Sequence, residues 1–218
     1  MEDIWIDVTG RKTMKILMIN GSPREKGNTS IALGEMRKVF EKNGIETEIM
    51  TIGTQQITGC TGCWKCKKLG YCVIDDMVNE AAAKLRESDG LVVGVPVYYA
   101  SANGTLISLL DRLFCSRNAD LTMKVGAAVI TARRGGASAT FDEINKYFTI
   151  SGMPVASSEY WNSVHGWAAG DAKGDPEGLR TVRVLAENMS FLIKSIALGK
   201  EKYGMPNREP KVMTNFVR

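Results

Sequence analysis

Four of the chain's five cysteines fall within GCTGCWKCKKLGYCVIDD, residues 59–76. Cys60, Cys63, Cys66 and Cys72 stand three, three and six positions apart. Thiols this close can hold a metal, pair as disulfides, carry redox chemistry or simply pack. Zinc sites usually draw two ligand pairs from segments separated by a longer arm. Iron–sulfur clusters commonly use a compact C-x-x-C-x-x-C triple with a fourth cysteine nearby or elsewhere. The gap before Cys72, with no proline after it, departs from the two-cluster ferredoxin run. Spacing therefore leaves a cluster, metal-free thiols, zinc and a disulfide open. The fifth cysteine, Cys115, follows Phe114 on an apolar helix and reads as a small core residue.

A second group of residues suits an anion. GSPREKGNTS, residues 21–30, lies between an apolar run and a helical pattern. Asn28, Thr29 and Ser30 stand at the helix start, where free backbone N–H groups and the helix dipole attract negative charge. Ser22, Thr29 and Ser30 add hydroxyl donors, and Arg24 a charge-matched fork. Gly21 and Gly27 allow a tight turn and close approach. The segment lacks the Gly-Lys-Ser/Thr of a nucleotide P-loop and the G-x-G-x-x-G of a dinucleotide site. One terminal monophosphate fits it; the plainer alternative is a capped helix after a tight turn.

The elements that must position these groups alternate along the chain. Strands are predicted at 15–20, 46–52, 89–98, 123–132 and 153–161. Helical spacing marks 31–40, 77–88, 103–114, 139–148 and 179–196, with Asp75 and Asp76 opening the second helix and Asn103 capping the third. No antiparallel hairpin signal is visible. This succession predicts an α/β, flavodoxin-like, doubly wound five-stranded parallel sheet with helices on both faces. Residues 1–13 read as an N-terminal extension, 14–200 as the domain with its Cys-rich loop at 58–75, and 201–218 as a tail. Placed after the second strand, the cysteine loop is expected to project from the sheet edge that carries the ligand.

Composition sets bounds. The 218 residues are 44% hydrophobic and 24% charged, as in an ordinary globular domain. The formal charge of +4 is scattered, giving nucleic-acid or membrane binding no support. No eighteen-residue apolar run and no basic-then-apolar start are present, so a cytoplasmic protein is expected. Thiols there are kept reduced, which favours metal or redox use over disulfides. No Ser–His–acid arrangement is visible, so hydrolase chemistry has no support. His165, the single histidine, reads as a surface loop residue.

GSPREKGNTS, together with the later PVYYASANGTLISLLDRLF, resembles the NADPH-dependent FMN reductase family of flavodoxin-like proteins across roughly residues 14 to 200. The resemblance implies a noncovalently bound FMN with its phosphate on residues 22–30. It further implies that Pro96, Val97, Tyr98, Tyr99, Asn103 and Gly104 face the flavin after the third strand. Thr131, Arg133, Gly135 and Gly136 would do so after the fourth, with Arg133 or Arg134 available to a phosphate of NAD(P)H. The cysteine spacing is similar to that of the iron–sulfur flavoprotein branch, whose members hold a 4Fe-4S cluster near FMN, commonly in homotetramers. The expectation is an FMN-dependent oxidoreductase moving electrons from NAD(P)H or a ferredoxin-like electron-carrier protein to a small-molecule redox acceptor. The cofactor performs the electron transfer, so no catalytic side chain is required. A homodimer or homotetramer is expected. The alternatives are a cluster-free NAD(P)H-dependent FMN or quinone reductase, and a non-enzymatic interaction module held by zinc.

Overall fold

The computed structural model describes residues 13–116, 119–210, 212–214 and 216, so the N-terminal extension read at 1–13 lies almost wholly outside the described residues. Six strands form one sheet: β1 (Lys15–Asn20), β2 (Glu46–Thr51), β3 (Gly90–Tyr98), β4 (Ser101–Ala102), β5 (Val125–Ala132) and β6 (Ser163–His165). The parallel path runs β2-β1-β3-β5-β6, and β4 pairs with β3 alone. Without that short addition the order is the flavodoxin order, in which the winding reverses between β1 and β3. In register, Met18 of β1 faces Ile49 of β2 and Val92 of β3.

Alternation along the strands divides the core into two layers. Leu17, Ile19, Leu91, Val93, Ala128 and Ile130 point to the face covered by α3 (Met77–Glu87), α4 (Gly104–Ser116) and α5 (Ala137–Thr149). Ile16, Met18, Val92, Ala127 and Val129 point to the other, covered by α1 (Asn28–Lys42) and α6 (Pro176–Tyr203). Strands buried on both faces read as unbroken apolar runs, which is why β1, β3 and β5 are legible in sequence. Asp76 caps α3 by accepting from the Val78 N–H at 3.1 Å. No helix among the described residues is long and apolar enough to cross a membrane.

Two expectations are corrected. The strand predicted at 153–161 is broken: Val155 makes a single bridge to Gly126, and regular pairing resumes only at Ser163–His165 against Ile130–Ala132. Between them Asn162 donates its side chain to the Ala128 carbonyl at 3.0 Å, while exposed Tyr160 and Trp161 pack edge to face outside the sheet. The hairpin of β3 and β4 was not expected. Its two-residue turn, Tyr99-Ala100, has φ of 50° and 63°, the backbone that Asn-Gly normally signals. A Tyr-Ala pair carries no such signal.

Helix α1 must sit close to β3 for its start to meet the strand ends. Gly94 permits this, because a Cβ there would lie 2.7 Å from Thr29 Cγ2 and 2.9 Å from Leu33 Cδ1. Gly94→Ala should therefore cost about 1–3 kcal/mol through overpacking. Gly34→Ala, on the same helix with nothing within 4 Å of the added methyl, should stabilise by about 0.5–1 kcal/mol. Urea denaturation followed by circular dichroism checks both; equal shifts would mean that Gly94 is no packing constraint.

Candidate cofactor cleft and cysteine cavity

A cleft of about 220 Å³ opens at the carboxyl ends of β1, β3 and β5, where the winding reverses. Its floor is the loop from β1 to α1. Asn20 accepts from the Ser22 N–H at 3.1 Å, and Ser22 Oγ accepts from the Arg24 N–H at 3.1 Å. The turn ends at Gly27, where a Cβ would lie 3.0 Å from the Arg24 carbonyl and 3.2 Å from Ser22 Oγ. No side chain caps α1, and no acidic residue occupies its first turn. The free N–H groups of the helix start are thus left for an anion.

Most residues read from the sequence meet here. Ser22, Arg24, Gly27, Asn28 and Thr29 line the cleft with Pro96, Val97 and Tyr98 of β3, Thr131 of β5 and Arg133 just after it. Thr131 donates to the Val95 carbonyl at 3.3 Å and accepts from the buried Thr29 hydroxyl at 2.7 Å. Others stand apart from the lining. Ser30 is tied into the loop, accepting from Asn20 at 3.0 Å and donating to the Glu25 carbonyl. Tyr99 is fully exposed. Asn103 stands just before α4, its carbonyl accepting from the Leu106 and Ile107 N–H groups at 3.1 and 3.2 Å, but its side chain makes no cap bond; it donates to the Gly21 carbonyl at 3.0 Å and leaves a buried Oδ1 without a partner. Gly104, Gly135 and Gly136 do not line the cleft, and Gly136, at φ 93°, packs against Ala100 instead.

The outer wall was not foreseen. Gly166 and Trp167 line the cleft, with Arg133 stacked 5.1 Å from the Trp167 ring and Arg24 reaching its carbonyl at 3.4 Å. Asn28 holds this wall: it donates to the Ala168 carbonyl at 3.0 Å and accepts from the Gly170 and Ala172 N–H groups at 3.1 Å. His165 lies beside it but pairs with Asp175 at 3.4 Å, outside the lining. The signal was the rule that ligands meet loops after strand ends. Placing the fifth strand at 153–161 hid the loop that follows Ser163–His165.

All five cysteines are free thiols, and all five line a second cavity of about 90 Å³ with Arg112 and Ser116. Cys115 is only partly buried and lines the cavity rather than the core, its carbonyl 3.8 Å from Cys66 Sγ. Arg112, 1% exposed, organises the loop. It donates to the Thr58 carbonyl at 3.2 Å, the Ile74 carbonyl at 2.9 Å and the Asp76 carboxylate at 3.0 Å. Its Nε and Nη2 both lie 3.3 Å from Cys72 Sγ. Burial opposes its charge, yet bonds to Asp76 and Cys72 outweigh that and push its pKa up. The Asn79 side chain clamps Cys72 through both its N–H and carbonyl at 2.9 Å. The Lys65 backbone N–H, then the Thr61 hydroxyl, hold the Cys63 thiol below its ordinary value; burial, then Cys66, push Cys115 up.

Cleft and cavity stand at opposite ends of α4. Asn103 precedes that helix beside Gly21, whereas Arg112, Cys115 and Ser116 form its last turns. At about 1.5 Å per residue they are some 14–18 Å apart along the axis. The cysteine loop therefore leaves the ligand-bearing edge and runs down the helix, contrary to the sequence expectation. Among the described residues no group of three or more His, Cys, Asp or Glu side chains converges closely enough for a metal ion.

The profile of the NADPH-dependent FMN reductase family matches residues 14–168. An iron-sulfur flavoprotein of Methanocaldococcus jannaschii is 36% identical over 191 residues, covering 84% of this chain and 99% of that protein. An iron-sulfur flavoprotein of Methanosarcina thermophila is 32% identical over 193 residues, covering 87% and 100%. Among solved structures, RosB with bound 8-demethyl-8-formylriboflavin-5'-phosphate superposes with a TM-score of 0.65 at 18% identity, covering 94% of each chain.

The Asn28 clasp is directly testable. Asn28→Ala removes three hydrogen bonds to loop 168–172 and should accelerate amide exchange at Gly170 and Ala172 by about tenfold, roughly 1.4 kcal/mol of local stability. Hydrogen exchange read by mass spectrometry measures this, and unchanged rates would mean that other contacts hold the loop.

Proposed function

We propose, for a chain that belongs to the NADPH-dependent FMN reductase family, that FMN occupies the cleft and that electrons pass through it from a reduced donor to a small-molecule redox acceptor. The chain is an FMN-dependent oxidoreductase of that family. The observation that carries the cofactor assignment is the uncapped, acid-free start of α1 beneath Gly27, where a side chain would fill the cradle. When bound, FMN supplies the hydride and single-electron chemistry. The chain's own residues do the rest. Ser22, Arg24 and the first N–H groups of α1 hold the phosphate. Pro96–Tyr98 and Thr131–Arg133 wall the ring, and Trp167, braced by Arg133 and Asn28, limits water from outside. The donor is NAD(P)H or a ferredoxin-like carrier, and the protein works as a homodimer or homotetramer in the cytoplasm, with no nucleic-acid or membrane partner.

The cysteine cavity fits a 4Fe-4S cluster by donor chemistry. Every sulfur is free, the set is wholly thiol, and a buried guanidinium already faces Cys72 Sγ. Cys60, Cys63, Cys66 and Cys72 would hold it, and two relatives carry the name iron-sulfur flavoprotein. In such a cluster each iron takes one thiolate, so its four cysteines need not meet at a single point. Zinc would need four sulfurs near 2.3 Å from one ion, and so about 3.8 Å from one another. The same lack of convergence favours, as a second reading, a cluster-free NAD(P)H-dependent FMN or quinone reductase. The zinc-held module leaves the cleft unexplained.

Absorption spectra and iron assays of protein purified without oxygen separate these readings. Flavin bands with a broad visible shoulder and stoichiometric iron are expected; flavin bands without iron select the cluster-free reductase, and a colourless zinc protein overturns both. Cys63→Ser should release the iron while FMN stays, and joint loss would argue against separate sites.

A further inference from the structure

Arg112 carries more hydrogen bonds than an anchor for the cysteine loop requires. Bonds to the Thr58 and Ile74 carbonyls and the Asp76 carboxylate would fix the loop by themselves. The remaining contacts, from Nε and Nη2, both fall on Cys72 Sγ at 3.3 Å. A neutral thiol is a weak acceptor, so two guanidinium donors aimed at one sulfur suit a site that carries negative charge. Burial of Arg112 at 1% exposure keeps that interaction in a low-dielectric setting, where it is felt more strongly than at the surface. Asp76 pairs with the same guanidinium through Nη1 and Nη2 and offsets part of its charge.

We infer that Arg112 is a positioning residue that sets the reduction potential of the iron–sulfur centre through its two N–H contacts to Cys72, with Asp76 opposing it. The inference rests on the cluster reading above. One electron taken up at the cavity adds one negative charge; no bond breaks and no proton moves. The guanidinium stabilises that more negative state and raises the potential, whereas the Asp76 carboxylate lowers it. The flavin cleft lies toward the start of α4, nine residues from Arg112 and so a rise of some 14 Å along the helix, and feels the same charge several-fold less.

The test is a mediated dithionite titration of iron-replete protein without oxygen, reading the cluster by electron paramagnetic resonance and the flavin by absorbance. Arg112→Gln should shift the cluster's midpoint to more negative values, and Asp76→Asn to more positive ones. Asparagine still caps α3, so this second variant leaves the helix start intact. In each variant the flavin couple should move several-fold less than the cluster. A loosened loop cannot produce opposite signs. If Arg112→Gln fails to retain iron, Asp76→Asn decides alone: a positive shift supports the inference and no shift overturns it. Iron retained with both variants shifting alike, or neither shifting, also overturns it while leaving the cluster reading intact. Wild-type protein without iron overturns the cluster reading and this inference together.

Discussion

The buried guanidinium of Arg112 is the contact on which the cysteine loop depends. It lies among the apolar residues of α4, next to Leu109, Leu110 and Leu113, where an unpaired charge would cost several kcal/mol. That cost is offset by the Thr58 and Ile74 carbonyls and the Asp76 carboxylate around it, with Cys72 Sγ beside them. The loop in turn has little else to hold it. Its short helix α2 (Cys66–Leu69) buries no residue, and Trp64, Leu69 and Tyr71 are exposed. A segment that removes so little apolar surface from water cannot offset its own ordering entropy. Removing Arg112 would leave Asp76 and two carbonyls partly buried without partners, a loss of about 3–5 kcal/mol by analogy with broken buried pairs.

The same helix joins both sites. Its N-terminal end receives the loop from β1 to α1, through Asn103 and the Gly21 carbonyl, and its C-terminal end carries Arg112 and Cys115. Its apolar face, Leu106, Leu109, Leu110 and Leu113, is fully buried against the sheet. Rigid burial of this kind fixes the spacing of cleft and cavity independently of either loop. It also limits electrostatic cross-talk: at an effective dielectric near 20, a unit charge about 14 Å away contributes only ~1 kcal/mol.

Elements defined by burial were legible in the sequence, and those defined by single polar contacts were not. β1, β3 and β5 announce themselves as apolar runs, and GSPREKGNTS is the strand–loop–helix connection whose residues line the cleft. Arg112 was invisible because LLDRLF reads as an amphipathic helix with its charges in solvent; only tertiary contacts reveal that Arg112 faces inward while Asp111 bonds Tyr147 at 2.5 Å. Trp167 was missed because the edge strand is short and interrupted, so periodicity gave it the wrong boundaries. Cys115 looked like core because its neighbours are; it is the last-turn position that opens onto the cavity.

The turn that presents Tyr98 to the cleft shows how strain is carried at this edge. Tyr99 and Ala100 both adopt left-handed backbone, which costs a residue with a Cβ about 1–2 kcal/mol. Glu143 of α5 answers with two bonds to β4, from the Ser101 hydroxyl at 2.7 Å and the Ala102 N–H at 2.9 Å. Hydrogen bonds to a charged group contribute about 1.5–3 kcal/mol each, enough to hold the turn. Gly136 completes the lock, since any Cβ there would lie 2.5 Å from Ala100 Cα. Helix α5 therefore closes the hairpin from one side while the glycine before it admits the turn from the other. The position of Tyr98 at the cleft is thus set by contacts that its own segment, read alone, does not contain.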